Sequence, residues 1–127
     1  LGYEYFLNGK VVHGNRIGQT MGFPTANIET DDPYKLIPAN GVYAVNVEYK
    51  GEILGGMLNI GSRPTISNDK KTIEVHIFNF EKDIYSEYLN VIFVKRLRDE
   101  IAFPGIAELK VQLEKDKENA LTILSKY

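Results

Sequence analysis

The sequence contains no cysteine among its 127 residues, and this absence excludes several kinds of chemistry. A disulfide framework, a thiol nucleophile and a zinc–thiolate site all need cysteine side chains. A chain of this length can bury a sufficient core without such crosslinks. We therefore expect residues 1–127 to form a single domain whose chemistry depends on oxygen- and nitrogen-bearing side chains.

Strong charge and long apolar runs are lacking as well. The formal net charge is −2, which argues against a general nucleic-acid or anionic-membrane surface. No apolar run approaches the roughly 20 residues of a membrane span, and we expect no signal peptide, since the start at Leu1-Gly2-Tyr3 lacks that layout. We predict a cytoplasmic monomer that acts on small molecules and has no nucleic-acid or membrane partner. The missing initial methionine suggests a processed chain or a domain cut from a longer polypeptide.

Alternation of apolar and polar residues predicts a fold made mostly of strands. It is clearest where Tyr43, Val45, Val47 and Tyr49 share one face. Lys50-Gly51 then predicts a tight turn into the next strand. We predict a polar loop at residues 67–71 and nearly continuous burial of the last strand. The predicted strands cover residues 5–12, 25–28, 43–49, 52–60, 72–80 and 91–97.

The period of the pattern changes after Pro104 and Gly105. Apolar residues then recur at helical spacing among Glu and Lys, and we expect this stripe to pack: Ile106, Leu109, Leu113, Ala120, Leu121 and Leu124. About six strands followed by one long helix predict an all-β fold, an antiparallel barrel with a C-terminal helix.

A glycine-rich segment separates the first two predicted strands. Gly14, Gly18 and Gly22 lie within nine residues of one another, and such spacing lets backbone N–H groups approach a phosphate closely. The segment matches neither a Walker A motif nor a Rossmann fingerprint. An ordinary turn between two strands uses the same residue types, so both interpretations stay open on residue chemistry alone.

Thr25 and Asn27 follow this segment one residue apart. In an extended strand they point to one side, while Ala26 and Ile28 point to the other. Hydroxyl and carboxamide oxygens suit Mg²⁺, which binds few protein ligands and completes its shell with phosphate and water. The pair therefore predicts a magnesium–nucleotide site.

Glu74 is the leading candidate for a catalytic acid or base. Strand parity places it with His76 on the face opposite Ile73, Val75 and Ile77, outside the barrel core. A phosphoryl transfer needs a carboxylate to accept the proton of the attacking hydroxyl. The alternative is an ordinary solvent-facing glutamate.

Other polar residues are weaker candidates. His13 could contact phosphate, although we favour a structural or incidental role for it, and we expect a structural role for His76. Arg96 and Arg98, which we place on one strand face, would either hold an anionic ligand or protect a strand edge.

Together these segments resemble riboflavin kinase, both the stand-alone form and the C-terminal module of the bacterial bifunctional riboflavin kinase and FAD synthetase. The resemblance covers essentially the whole chain in order. The motifs that carry it are Gly9-Lys10-Val11-Val12-His13-Gly14, Gly22-Phe23-Pro24-Thr25-Ala26-Asn27-Ile28, Gly41-Val42-Tyr43, Asn59-Ile60-Gly61-Ser62-Arg63-Pro64-Thr65, Glu74-Val75-His76-Ile77-Phe78, Asp83-Ile84-Tyr85, and Arg98-Asp99-Glu100 with Phe103.

This resemblance implies a six-stranded Greek-key barrel that phosphorylates the 5′-hydroxyl of riboflavin with ATP, giving FMN and ADP. Mg²⁺ would be the cofactor and an N-terminal adenylyltransferase domain a possible partner. Glu74 would be the catalytic base, and Thr25 and Asn27 would bind Mg²⁺ and nucleotide. Arg98 and Phe103 would approach the flavin. The remaining nucleotide-binding positions would be Gly14, Gly18, Gly22, Asn79 and Tyr85.

Two other function classes are weighed against the kinase. One is a barrel that binds flavin or nucleotide without turnover, which would share the pocket and differ at Glu74. The other is an oligonucleotide-binding barrel, which the acidic net charge disfavours.

Overall fold

A computed structural model describes residues 5–15, 22–30, 37–64, 69–80 and 84–126, except for the side chains of 13–15, 62–64 and 69–70. Six strands precede one helix in these ranges. They are β1 (Tyr5–Asn15), β2 (Thr25–Thr30), β3 (Gly41–Tyr49), β4 (Glu52–Pro64), β5 (Asp69–Ile77) and β6 (Tyr88–Arg98), followed by α1 (Ile106–Leu124).

The strands close into an antiparallel barrel in the order β1-β2-β5-β4-β3-β6. β3, β4 and β5 are successive neighbours, and β6 returns to pair with the far side of β3. Three consecutive strands with a fourth beside the first make a Greek key. The predicted all-β Greek-key barrel with a C-terminal helix is therefore confirmed. Within the described residues, no helix is both long enough and apolar enough to span a membrane.

The barrel interior is filled by the apolar face of each strand. In β3 the four alternating residues from Tyr43 to Tyr49 are all buried, as the pattern predicted. Val75 is 1% exposed and its neighbours Ile73 and Ile77 are also buried. These side chains form one continuous cluster with Leu58, Ile60, Leu89, Val91 and Phe93. Glu74 is thereby confirmed to lie on the outer side of β5.

A second, smaller core lies outside the barrel, beneath α1. Its buried members are Phe23, Ala44, Met57, Phe78 and Ala120. Two of the predicted helix contacts are wrong, because Ile106 is 58% and Leu121 45% exposed. Leu121 is rotated by about 100° from the buried Ala120, whereas Leu109, Leu113 and Leu124 pack against this second core.

Most predicted strand limits need correction, because β1, β2, β4 and β6 continue beyond their predicted ends, β3, β5 and β6 begin earlier, and β5 ends earlier. The β4–β5 ladder continues through Gly61↔Thr72 to Pro64↔Asp69, so β4 does not stop at residue 60 and the predicted polar loop partly belongs to β5. Backbone hydrogen bonds hold this extension whatever the polarity of the side chains. β5 ends at Ile77 because the chain turns at Asn79, which has a φ of 54°.

The predicted continuous burial of β6 is also wrong. Leu89, Val91 and Phe93 are buried, whereas Ile92 and Val94 are only half-buried. The inner side chains complete the barrel core, while the outer face of this strand is only partly covered.

Candidate active site

Polar side chains form a row across three adjacent strands on the outside of the barrel. Asn27 of β2 lies opposite Glu74 of β5, and Glu74 lies opposite Asn59 of β4. Residues that are directly opposite in an antiparallel pair project to the same face. Ala26 and Val75 are paired one step along, and they pack into the core on the other face. The predicted division of β2 into a polar and an apolar side is confirmed.

Thr25 and Glu74 are in direct contact although 49 residues separate them in sequence. The Thr25 hydroxyl donates a hydrogen bond to Glu74 Oε1 at 3.0 Å. This bond orients the carboxylate and leaves the lone pairs of the hydroxyl oxygen available to a cation. The structure thus joins two residues that the sequence identified by separate arguments.

The Asn27 side chain has the properties expected of a ligand. Its Oδ1 is buried, and no hydrogen-bond donor in the described part of the chain reaches it. A buried carbonyl oxygen without a donor is costly unless it binds water or an ion. Together with the Thr25 hydroxyl it gives the oxygen donors that Mg²⁺ prefers. No group of three His, Cys, Asp or Glu suited to a metal occurs in the described ranges. In proteins, Mg²⁺ generally takes few side-chain ligands and completes its shell with phosphate and water.

A cleft of about 260 Å³ is lined by Glu74 and Asn59 of this row and by Thr25, while Asn27 is not among its lining residues. Its polar lining includes Thr25, Asn59, Glu74 and His76. The apolar lining comes from barrel residues such as Met57 and Leu58, from the segment after β6 and from the first turns of α1. Its members include Ile101, Phe103, Leu109 and Leu113. Such a cleft suits a ligand that has an apolar ring at one side and hydroxyl or phosphate groups at the other.

Arg98 and Phe103, the predicted flavin-binding residues, also line the cleft. The guanidinium carbon of Arg98 lies 5.9 Å from the centre of the Phe103 ring. Nε and Nη2 of Arg98 donate to the two carboxylate oxygens of Asp116 at 2.9 and 2.7 Å. Asp116 lies on α1 and is 1% exposed. The ion pair therefore joins the end of β6 to the helix at the edge of the cleft.

The prediction that Arg96 and Arg98 share a strand face is wrong. The β3–β6 ladder shifts register, so Arg98 lies opposite Val42 while Arg96 lies opposite Tyr43. Successive residues of β3 face opposite sides, and the irregularity separates the two arginines. Arg96 instead pairs with the exposed Asp99 at 2.8 Å, away from the cleft.

His76 supports the chain segment that leads into Thr25. It is 7% exposed, and its Nδ1 lies 2.7 Å from the carbonyl oxygen of Pro24. Because that carbonyl can only accept, Nδ1 carries the proton. Burial lowers the pKa of His76; the hydrogen bond to Pro24 opposes this shift, and the positive charge of Lys117 adds to it. The ring also packs edge-on against Phe23, as expected for a neutral structural histidine.

The predicted nucleotide-binding residues outside the cleft remain predictions. The backbone of Gly14 pairs with Ala26 between β1 and β2, and Gly18 lies outside the described residues. Gly22 has a φ of 84°, which favours glycine. Asn79 and Tyr85 are exposed and do not line the cleft as described.

Two residues at the site were missed by the sequence analysis, which assigned them no role. Asn59 belongs to a quoted motif, and its position between the core residues Leu58 and Ile60 places it on the outer face. Asp116 falls seven residues after Leu109, within the apolar stripe of α1. A charged residue in that stripe was the available signal.

Comparison with known proteins identifies the family. A family model described as riboflavin kinase matches residues 1–124. The chain belongs to the riboflavin kinase family. This finding confirms the family resemblance that the motifs predicted, and it places the Thr25–Glu74 pair in a riboflavin kinase domain.

Individual relatives of this riboflavin kinase domain support the same family assignment. The bifunctional riboflavin kinase/FMN adenylyltransferase of Haemophilus influenzae is 48% identical over 121 residues, which cover 94% of this chain and 39% of that protein. The crystal structure of riboflavin kinase from Trypanosoma brucei has a TM-score of 0.66 and 26% identity, covering 98% of this chain and 82% of its own. A Streptococcus pneumoniae structure described as a macrolide-efflux protein has a TM-score of 0.84 and 39% identity, covering 89% and 37%. The chain spans about two fifths of the length of the curated relatives.

Proposed function

We propose that residues 1–127 act as one domain that transfers the γ-phosphoryl group of ATP to the 5′-hydroxyl of riboflavin, giving FMN and ADP. The hydrogen bond between Thr25 and Glu74, two residues that line a largely apolar cleft, is the observation that carries this proposal. It sets a carboxylate where the hydroxyl end of an apolar ring compound would lie.

Glu74 accepts the proton in the proposed reaction. An electron pair of the riboflavin 5′-oxygen forms the new bond to the γ-phosphorus, and the bond from that phosphorus to the β–γ bridging oxygen breaks. The hydroxyl proton passes to the Glu74 carboxylate, and the leaving group is ADP. Thr25 fixes the orientation of the carboxylate, so catalysis depends mainly on positioning and charge stabilisation.

Thr25 and Asn27 are the proposed ligands of Mg²⁺, because they bring two oxygen donors to one face of β2. A bound Mg²⁺ would neutralise charge on the nucleotide phosphates. We assign nucleotide contacts to these two residues, and to Gly14, Gly18, Gly22, Asn79 and Tyr85. Riboflavin contacts are assigned to Arg98 and Phe103 in the cleft wall.

The partner and location of the domain are part of the proposal. The Haemophilus influenzae relative has a name that includes FMN adenylyltransferase and is longer than this chain. We infer that an adenylyltransferase domain, where present, would be an N-terminal partner and would be responsible for any FAD. We further propose that the domain is a monomer and works in the cytoplasm.

The direct test incubates the purified chain with riboflavin and Mg-ATP and separates the flavins by chromatography. We expect FMN to form with equimolar ADP, to require both ATP and a divalent cation, and to be accompanied by no FAD. Riboflavin binding without FMN would instead support a non-catalytic flavin-binding barrel. Formation of FAD would contradict the assignment of that step to another domain.

A further inference from the structure

Asp116 is a buried carboxylate to which the proposed reaction assigns no role. Among the described side chains, Asp116 and His76 are the only polar or charged ones that are buried. A carboxylate inside an apolar helix contact is costly unless it is paired, and an apolar residue of similar size often serves stability as well or better. The position therefore invites a functional explanation.

The ion pair of Asp116 is with Arg98, and one further hydrogen bond comes from its own helix. Asp116 accepts from Nε and Nη2 of Arg98, and Gln112, one helical turn away, donates to Asp116 Oδ1 at 2.9 Å. A third donor of Arg98, Nη1, binds the carbonyl oxygen of Asp99 at 2.9 Å. The helix α1 and the segment after β6 thus both hold the guanidinium. Its bidentate contact with the Asp116 carboxylate is one that lysine could not reproduce.

We propose that Asp116 is a positioning residue for riboflavin, which acts through Arg98. By fixing the guanidinium, Asp116 sets the surface against which the Phe103 ring lies and so shapes the apolar wall of the cleft. This inference rests on the proposed function, since it assumes that riboflavin occupies this wall.

Charge compensation is the second part of the inference. Arg98 is only 16% exposed, and without Asp116 it would bring an unpaired positive charge to the cleft. The isoalloxazine ring and ribityl chain of riboflavin are uncharged, whereas nucleotides and FMN carry phosphate. A compensated Arg98 offers a planar, hydrogen-bonding surface to a neutral ring without attracting phosphate to the wrong end of the cleft.

Replacement of the carboxylate by an amide tests the inference. In Asp116→Asn we expect the Kd and KM for riboflavin to rise about tenfold, a size typical of residues that share one ion-pair network. The kcat and the KM for ATP should stay within about twofold, because Thr25, Asn27 and Glu74 are not touched by Asp116. Loss of folding alone would lower the active fraction without this separation of the two KM values.

A matched control is available on the neighbouring ion pair. Asp99→Asn removes the same charge but releases Arg96, which lies outside the cleft. Asp99 contacts Arg98 through its backbone carbonyl, which the substitution keeps. We expect an unchanged riboflavin Kd, measured by quenching of flavin fluorescence. An equal loss in Asp99→Asn and Asp116→Asn would overturn the inference.

A double-mutant cycle keeps the test decisive if Asp116→Asn fails to fold. Arg98→Met, Asp116→Leu and the double variant replace the buried pair by apolar groups, which proteins often tolerate. Because Asp116 acts only through Arg98, the double variant should bind riboflavin as weakly as Arg98→Met alone. A further loss in the double variant, or wild-type affinity in Asp116→Asn, would refute the positioning role. Failure of the wild type to make FMN while it binds riboflavin would refute the proposed function separately.

Discussion

Replacement of Glu74 by glutamine separates binding from proton transfer. The amide keeps an Oε1 that accepts from the Thr25 hydroxyl, as the carboxylate does at 3.0 Å. The shape of the cleft and its row of polar residues should therefore persist. What the amide cannot do is accept a proton from the attacking hydroxyl, because it is not basic at neutral pH.

The expected size of the effect follows from this single lost role. General base catalysis contributes about 10²- to 10⁴-fold, which corresponds to about 3 to 5 kcal/mol in the activation free energy. We expect kcat for FMN formation in Glu74→Gln to fall by this factor, while the Kd for riboflavin changes by less than about threefold. Rates would be measured by chromatography of FMN, and binding by flavin fluorescence.

The matched control is Glu48→Gln, which makes the same change of charge on the barrel exterior. Glu48 is exposed and accepts a hydrogen bond from Asn90 at 3.3 Å, outside the cleft. Its kcat should equal that of the wild type. The reasoning fails if Glu74→Gln retains full turnover, or if it loses riboflavin binding in proportion to its loss of rate.

Three further predictions concern the metal, pH and packing. Asn27→Ala should raise the Mg²⁺ concentration for half-maximal activity at least about tenfold, as loss of metal-site partners commonly does, and an unchanged Mg²⁺ titration would exclude Asn27 as a ligand. Burial lowers the pKa of His76, so as the pH falls the unfolded chain binds a proton at this histidine before the folded chain does. The free energy of unfolding is therefore undiminished by His76 above the ordinary histidine pKa of 6.5, and it decreases as the pH is lowered past that value. His76→Asn should remove part of this pH dependence in urea unfolding. Gly9→Ala would force a Cβ into the side chain of Ile28 and to 2.9 Å from the carbonyl oxygen of Glu29. It should lose about 1–3 kcal/mol, and thermal unfolding at the wild-type temperature would contradict this.

Period-two patterns predicted much of the fold because one side of each strand meets the barrel core. Val75 and Glu74 were assigned to opposite sides correctly for this reason. Strand ends were harder to predict, since backbone pairing of Gly61 with Thr72 extends β4 and β5 through polar sequence. The register shift that separates Arg96 from Arg98 depends on how β6 meets β3, which no local pattern encodes.

The candidate site was predictable where a motif gave both chemistry and strand parity. Thr25, Asn27 and Glu74 satisfied both conditions, and the structure brings them together. Asp116 was missed because its partner Arg98 is 18 residues away, on a different element. A single charged residue in an apolar helix stripe signals a buried pair, but the fold alone identifies the partner.

The alternation of β5 makes folding and chemistry share one short strand without sharing side chains. Deleting a single residue just before Ile73 would shift every following side chain to the reverse face, turning carboxylate and imidazole inward and exposing valine to solvent. Such a frame change would abolish the barrel along with the reaction. Substitutions at Thr72 or Glu74, by contrast, leave the hydrocarbon interior alone, whereas His76 is buried against Phe23 and its replacement would disturb the packing.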